Sequence, residues 1–167
     1  MINKYLAYYE SPIGTIRITA DDDSITTLHF MIEMDGVELE PINMNETLEK
    51  CIEQLDLYFK GELREFDLKL NPSGTDFQKK VWNEILKIPY GKTRSYLDLS
   101  RLLGNEKSIR AIARANGENK IAIIIPCHRV IGSDKSLTGY TWGLWRKKWL
   151  LNHEAAVVSN ECQLSLF

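Results

Sequence analysis

One cysteine of the chain stands in a setting suited to nucleophilic chemistry. Residues 121–125 are apolar at every position, and Pro126, Cys127, His128 and Arg129 follow them directly. Such a run predicts a strand buried on both faces, and the proline would end it so that the cysteine faces a cavity. The thiolate is the reactive form of cysteine, and neighbouring cationic or proton-accepting groups favour it. The alternative is a cysteine that only fills core volume.

A carboxylate that could complete a catalytic group occurs at His153-Glu154, where the pattern predicts the end of a helix. Glu154 could orient an imidazole in the manner of the third member of a triad. Cys127 and His128 with this carboxylate would also fit a cysteine hydrolase, which needs an oxyanion hole and a path for turnover. Adjacent cysteine and histidine do not by themselves separate these possibilities.

The residues around Cys127 resemble the O6-alkylguanine-DNA alkyltransferases. The resemblance is collinear from about Gly74 to Glu154. It is carried by residues 75–78, 81–82, 88–91, 93–96, 110–112, 119, 126–130, 139–140 and 150–154. It implies DNA repair by a single-turnover methyltransferase, in which an alkyl group moves from O6 of a flipped guanine in double-stranded DNA to Cys127. It implies no cofactor and no metal.

The resemblance also assigns roles to residues at matching positions. Cys127 would accept the alkyl group, and His128 would be its general base, acting through a water. Glu154 would be the carboxylate that holds His128, and Asn119 the asparagine that braces the turn. An arginine that enters the duplex and a tyrosine that helps to rotate the nucleotide are Arg110 and Tyr96. Tyr140 would supply a hydroxyl that donates to O6, and Val130 a carbonyl that accepts from the guanine amino group.

Three residues depart from the family pattern. Lys120 stands where the family often has proline, and Lys135 stands where it often has glycine, so the local loop conformations are open. Trp142 replaces a glycine after the pocket tyrosine. A ring at this position is expected to line the mouth of the pocket and to exclude bulky alkyl groups by clash. The alternative is a ring that packs outward without a steric role.

Composition sets the class of protein. The chain has 167 residues, of which 44% are hydrophobic and 26% are charged, as in a globular protein. No run is long enough to cross a membrane, and the N-terminus lacks a signal-peptide pattern, so a cytoplasmic location is expected. The three cysteines, Cys51, Cys127 and Cys162, fit no disulfide framework. The three histidines lie far from paired cysteines, so we expect no metal site.

Charge is divided unevenly along the chain. Through Pro72 there are 6 basic and 15 acidic residues, a net of −9, whereas Ser73 to Phe167 holds 15 basic and 8 acidic residues, a net of +7. A basic half is consistent with contact to nucleic acid. Charge alone leaves open an ordinary solvated basic surface.

The first half predicts strands followed by a helix. Runs at 5–10 and 15–20 flank Ser11-Pro-Ile-Gly14 and predict a hairpin, with a third strand at 25–30. A loop at 34–45 has no readable role. An apolar stripe predicts a helix from Asn45 to Gly61 and places one of the cysteines in the core; it consists of Leu48, Cys51, Ile52, Leu55 and Phe59. Residues 63–70 are expected to be strand or extended, and 71–74 a linker.

The second half is predicted to be mostly helical. Thr75 or Asp76 caps a first helix, and Ser95 with Asp98 caps a second that ends at Gly104. The buried stripe of the first helix is expected to be Phe77, Val81, Trp82 and Ile85. A third helix at 106–116, capped by Asn105, would complete a helix-turn-helix, although an ordinary helical hairpin fits the pattern equally.

The third helix carries the predicted DNA contacts. Ile109 and Ile112 are expected to face inward, while Lys107, Arg110 and Arg114 project outward. Alanines between these basic residues would let the helix backbone approach a groove and its phosphates closely. A solvated basic face is the alternative.

These inferences define an α/β protein with two domains and a tail. Residues 1–72 form an acidic domain that the resemblance implies is ribonuclease-H-like, residues 73–155 form a winged-helix-like DNA-binding domain with the active cysteine, and residues 156–167 are the tail. A monomer without an obligate protein partner is expected. A lesion-binding module without transfer activity is the competing class, but related proteins of that class lack the cysteine.

Overall fold

The computed structural model describes residues 2–32 and 36–164, the side chains of residues 163 and 164 excepted. The chain forms two compact units, residues 1–73 with 120–122 and residues 74–119 with 123–167. The elements of the first unit are β1 (Tyr5–Ser11), β2 (Gly14–Ala20), β3 (Ile25–Phe30) and α1 (Glu46–Phe59). Those of the second unit are α2 (Asp76–Leu86), β4 (Arg94–Ser95), α3 (Tyr96–Leu102), α4 (Ile109–Gly117), β5 (Val130–Ile131) and α5 (Leu144–Leu164).

The first unit is an antiparallel sheet with one helix. The strands pair in the order β1, β2, β3, and the tight turn at Ser11 to Gly14 confirms the predicted hairpin. Asn45 caps α1 by accepting from the Leu48 amide. Cys51 is fully buried on α1, as predicted for a core residue. Of the predicted loop, residues 34 and 35 lie outside the described residues, and Asn43 bridges to Leu6 of β1.

Two segments of the first unit lie outside its regular elements. Residues 63–70 form no strand, and only Leu70 bridges to Ile25. Residues 120–122 belong to this unit because the Leu28 amide donates to the Lys120 carbonyl at 2.9 Å and the Ala122 amide donates to the Leu28 carbonyl at 2.8 Å. A ladder contact to β3 therefore draws three residues out of the second half of the sequence.

The helices of the second unit begin at capping boxes. Thr75 caps α2 together with Gln78, which decides between the two predicted caps Thr75 and Asp76, and Ser95 caps α3 with Asp98, as the spacing predicted. The prediction for Phe77 is wrong, because its side chain is 41% exposed while Val81, Trp82 and Ile85 are buried. At the start of a helix only one flank is covered by neighbours, so the first turn can point outward without breaking the stripe.

The α4 helix packs through its later turns. Asn105 caps a short 3-10 turn over Glu106–Ser108, and α4 follows it. Ile112 is buried, and the Trp82 indole of α2 donates to the Ala115 carbonyl at 2.8 Å. Ile109 is 37% exposed, so its predicted inward position is wrong. The tighter 3-10 turn changes the phase of the helix start, and this rotates the first isoleucine away from the core.

The predicted five-residue strand before Cys127 is wrong. Ile121 makes a single bridge to Leu28, and residues 122–124 form turns. Ile123 has a φ of 69°, a left-handed conformation that a β-branched residue rarely adopts and that costs about 1–3 kcal/mol. The whole segment is buried, and this is why its composition imitates a strand.

The α5 helix is longer than expected. It continues from Leu144 to Leu164, ten residues beyond Glu154, so the predicted helix end at His153-Glu154 is wrong. The expected tail at 156–167 is helical through Leu164, and residues 165–167 lie outside the described residues. Because no glycine or proline occurs after Gly143, nothing in the local sequence stops the helix at Glu154.

Candidate active site

Cys127 begins a 3-10 turn that covers Cys127–Arg129 and is only 3% exposed. Its amide donates to the Ile125 carbonyl at 2.7 Å, and Pro126 between them has φ −81° and ψ 62°, the geometry of an inverse γ-turn. The strand β5 follows the turn and pairs in parallel with β4. Because β4 leads directly into α3, this pairing brings Tyr96 at the start of α3 to the cysteine.

Asn119 braces the turn from the other side. Its side chain is 5% exposed, and Nδ2 donates to the Ile125 carbonyl at 2.8 Å. The same side chain hydrogen-bonds to the Cys127 thiol and lowers the pKa of that group. The structure thus places Asn119 where it holds both the backbone before the cysteine and the sulfur.

The thiols of Cys127 and Cys51 differ in their surroundings. Burial raises the pKa of Cys127, and the Asn119 hydrogen bond, the Lys147 charge and the Tyr140 hydroxyl oppose that rise. Burial raises the pKa of Cys51 to about 12, with no opposing group. Both thiols are protonated at neutral pH, but only the Cys127 site is built to stabilise a thiolate.

Lys147 is a functional candidate that the sequence did not reveal. Its side chain is fully buried, and Nζ donates to the Val130 carbonyl at 2.6 Å and the Thr138 carbonyl at 3.1 Å. Burial lowers the pKa of Lys147 to about 8, and the Cys127 charge acts in the opposite direction. The cation that acts on the thiol is therefore Lys147 rather than Arg129, which the sequence had suggested. A signal was available, since Lys147 shares a helix face with the buried Leu150 and Glu154.

Arg129 and His128 meet the same buried carboxylate. Arg129 donates from Nε and Nη2 to Glu154 at 2.9 and 2.8 Å, and from Nη1 to the Ile88 carbonyl at 2.7 Å. His128 Nε2 lies 2.8 Å from Glu154 Oε1, and the Gly91 amide donates to Oε2 at 3.1 Å. Burial raises the pKa of Glu154, but the bonds from His128 and Arg129 outweigh it, and the net shift is strongly downward.

The imidazole of His128 is arranged as a neutral base. Burial lowers the pKa of His128, and the hydrogen bond that the ring donates to Glu154 only partly offsets this. Because a carboxylate can only accept, Nε2 carries the proton, and Nδ1 is left with its lone pair. Among the described residues Nδ1 has no hydrogen-bond partner. The arrangement leaves one basic nitrogen available at the site.

Two tyrosines and an asparagine complete the pocket. Burial raises the pKa of Tyr140 well above its usual value, and the charge and hydrogen bonding of Cys127 raise it further. Its hydroxyl makes no other hydrogen bond within the described part of the chain. Burial also raises the pKa of Tyr96. The Tyr96 hydroxyl lies 3.4 Å from Nδ2 of Asn116, a residue that the sequence analysis did not single out.

The basic residues predicted to contact DNA lie on the outside of α4 and its preceding turn. Lys107, Arg110 and Arg114 are all exposed. Arg114 pairs with Glu118 four residues later, at 3.0 Å. Arg110 makes no ion pair within the described residues.

The loop before α5 carries the two remaining departures from the family pattern. Lys135 has a φ of 66°, the left-handed conformation in which glycine is favoured, so the lysine is held in a strained turn. The Trp142 side chain is half-buried, and its carbonyl accepts from Arg146 Nη1 at 2.8 Å.

Comparison with known proteins places this site in a family. Residues 4–72 match the 6-O-methylguanine DNA methyltransferase ribonuclease-like domain, and residues 76–156 match the DNA binding domain of the same family. A methylated-DNA–protein-cysteine methyltransferase of Methanosarcina acetivorans is 45% identical over 91% of this chain and 99% of its own length. The chain belongs to this family. Membership makes it a DNA-binding protein of DNA repair that transfers an alkyl group to a cysteine.

Solved structures of the methyltransferase family confirm the fold class. The Mycobacterium tuberculosis O6-methylguanine methyltransferase has a TM-score of 0.79 and 40% identity, covering 92% of this chain and 94% of that protein. The same organism's protein in complex with DNA has a TM-score of 0.81 and 41% identity, with coverage of 90% and 92%. The α/β architecture, with a small sheet unit followed by a helical unit, is therefore that of the methyltransferases.

No helix within 2–32 and 36–164 is long and apolar enough to cross a membrane. Those residues also contain no group of three or more histidine, cysteine, aspartate or glutamate side chains that could hold a metal ion.

Proposed function

We propose that Sγ of Cys127 accepts the alkyl group from O6 of guanine in double-stranded DNA, once per protein molecule. The observation that carries the proposal is the environment of the thiol, where three groups oppose the effect of burial on its pKa. Cys51 is equally buried and has no such groups. Cys162 is exposed near the end of α5.

The reaction requires a proton to leave the thiol first. His128 Nδ1 is the available base, and the family resemblance implies that a water carries the proton to it. Glu154 then stabilises the imidazolium that forms, while Asn119 and Lys147 stabilise the thiolate. The sulfur attacks the alkyl carbon in line, the S–C bond forms, and the C–O6 bond breaks with its electron pair going to guanine.

Departure of guanine is the second half of the step. Charge develops on O6 as the bond breaks, and a hydroxyl donor aimed at that oxygen lowers the barrier. Tyr140 is the proposed donor, because its hydroxyl is buried beside Cys127 without another partner within the described residues. The product is a stable thioether, and nothing at the site would reverse it.

Access to a buried thiol requires the base to leave the duplex. Rotation out of the stack costs a few kcal/mol, and we propose that Arg110 fills the space that the base vacates while Tyr96 contacts the rotated nucleotide. Lys107 and Arg114 are proposed phosphate contacts, and Trp142 is a proposed wall at the mouth of the pocket. Every proposed catalytic and DNA-contacting residue comes from one copy of the chain, so a monomer suffices. We propose a reducing cytoplasm as the location, because the three cysteines of the sequence fit no disulfide framework.

Intact mass measurement tests the proposed function. After incubation with excess duplex that contains one O6-methylguanine, we expect the protein to gain the mass of one methyl group and no more. Peptide mapping should place the methyl group on Cys127. Binding without any mass change would favour a lesion-binding module, and continued release of altered base beyond one equivalent would favour a cysteine hydrolase.

Replacement of the exposed arginine on α4 tests base flipping. Arg110→Ala should slow transfer from duplex DNA about 10- to 100-fold, since filling the vacated space offsets an unstacking cost of a few kcal/mol. Transfer from O6-methylguanine as a free base should change little, because no gap has to be filled. Single-turnover rates on both substrates measure the difference.

A second arginine of α4 provides the control. Arg114→Ala should weaken duplex affinity and its salt dependence while leaving the rate at saturating protein nearly unchanged, as expected for a phosphate contact. Equal losses on duplex and free base in Arg110→Ala would instead assign Arg110 to the fold or the chemistry.

A further inference from the structure

A buried amide lies at the pocket and has no role in the steps described above. Asn116 on α4 is 4% exposed. Its Nδ2 lies 3.4 Å from the Cys127 carbonyl oxygen and 3.4 Å from the Tyr96 hydroxyl. Its Oδ1 is buried and accepts no hydrogen bond within the described residues. The side chain therefore sits between two pocket residues with one acceptor unused.

The orientation of the amide follows from its neighbours. The Cys127 carbonyl can only accept, so the amide must present its nitrogen to that atom. The Tyr96 hydroxyl can accept from the same nitrogen. Oδ1 is consequently turned away from the carbonyl, and a buried acceptor without a donor is unfavourable until a ligand supplies one.

The substrate has one edge group that matches this acceptor. In an O6-alkylated guanine nucleotide the ring nitrogens and O6 only accept, and the 2-amino group is the donor of the base edge. This amino group lies on the same edge as O6, so a base whose O6 substituent meets Cys127 brings its amino group close to the residues around that cysteine. Enzymes that flip a base read it through hydrogen bonds to this edge.

The other acceptors near the cysteine are already engaged. The Val130 carbonyl, which the family resemblance assigns to the amino group, accepts from Lys147 Nζ at 2.6 Å. The Cys127 carbonyl accepts from Asn116 itself. The Cys127 carbonyl also accepts from the Val130 amide, so both of its lone pairs are engaged. The Asn116 oxygen accepts no hydrogen bond within the described residues, and an amino group has two hydrogens to place.

We propose that Asn116 is a specificity-determining residue whose Oδ1 accepts a hydrogen bond from the 2-amino group of the flipped O6-alkylguanine. This rests on the proposed function, because it requires the alkylated base to enter the pocket. It predicts discrimination against O6-alkylated hypoxanthine, the same base without the amino group, because Oδ1 would then stay buried and unpaired.

Two duplexes that differ only in this amino group test the proposal. Single-turnover transfer rates are measured with O6-methylguanine and with O6-methylhypoxanthine at the same position. The unsubstituted protein should prefer the guanine substrate. Asn116→Leu, which keeps the approximate volume and removes the acceptor, should reduce the ratio of the two rates about 5- to 10-fold, the value of one neutral hydrogen bond.

A second variant separates the acceptor from the fold. Asn116→Asp keeps an oxygen acceptor and loses the donor to Cys127; added negative charge should slow both substrates while the ratio stays near that of the unsubstituted protein. An unchanged ratio in Asn116→Leu, or a ratio lost equally in Asn116→Asp, would overturn the assignment of Oδ1. The proposed function is tested separately: it would be overturned if the unsubstituted protein took up no methyl group from O6-methylguanine. A changed ratio of the two transfer rates bears only on Asn116.

Discussion

Cys127→Ser should abolish alkyl transfer and leave duplex binding intact. An alcohol has a far higher pKa than a thiol, so neither His128 nor Lys147 could produce the anion that attacks. The substitution nearly conserves volume, and the exposed basic residues of α4 are untouched, so the dissociation constant for duplex should change by no more than about twofold. Mass measurement after incubation with methylated duplex, together with a binding titration, reports both properties.

The other cysteines provide matched controls. Cys162→Ser changes an exposed residue of α5, and Cys51→Ala changes a residue whose only environment is the core of the first unit. Both proteins should still take up one methyl group, although Cys51→Ala should be less stable because it leaves a cavity. Residual transfer by Cys127→Ser, or a methyl group mapped to either other cysteine, would refute Cys127 as the acceptor.

Glu154→Gln should cost about 3–5 kcal/mol in the free energy of unfolding, because it removes the buried carboxylate bound to the guanidinium of Arg129 and leaves that buried charge without this partner. Transfer should also slow, since His128 would lose the group that holds its tautomer and stabilises its protonated form. Urea unfolding measures the first effect, and single-turnover transfer at saturating DNA measures the second.

An exposed ion pair provides the comparison for Glu154. Glu106→Gln removes the partner of Arg101, which lies on the surface, and should change stability by no more than about 1 kcal/mol. The pKa of Glu154 is lowered in the folded protein, so its contribution is complete above the ordinary carboxyl range. It is lost as pH falls below about 4 toward the folded pKa. A stability difference between the native protein and Glu154→Gln that failed to shrink in acid would contradict the assigned charge state.

Helices and strands were predictable where the spacing of apolar residues and the capping or turn residues indicated the same element. The hairpin around Ser11 to Gly14 and the caps at Thr75 and Ser95 each combine two local signals, and the structure confirms them. The predicted stripe of α1 is confirmed at Leu48, Cys51 and Leu55, but Ile52 and Phe59 are only half-buried. The apolar run before Cys127 had composition alone, and a buried turn has the same composition as a buried strand. Nothing local indicates that Ile123 adopts a positive φ, since the surrounding contacts impose it.

Some residues of the candidate site were predictable from the sequence and others were not. The family resemblance identified residues whose types recur at fixed spacing, such as Cys127 and Glu154. It did not identify Lys147, because a lysine within a helix is ordinarily solvated. The helix face that Lys147 shares with Leu150 and Glu154 was a local signal, and the carbonyls that converge on Nζ from separate segments show what holds the buried lysine. Asn116 was missed for a related reason, since its significance lies in an acceptor left unpaired in three dimensions.

The crowding around Glu154 has a consequence for how this sequence can vary. Its carboxylate joins His128 and Arg129 to the Gly91 amide, and Gly91 has a φ of 72° with Val158 Cγ2 only 2.7 Å from where a Cβ would stand. No one of these positions can change alone without leaving a buried charge or a steric clash. We expect substitutions here to appear in descendants as concerted sets, with Val158 the member that must shrink before Gly91 can be replaced.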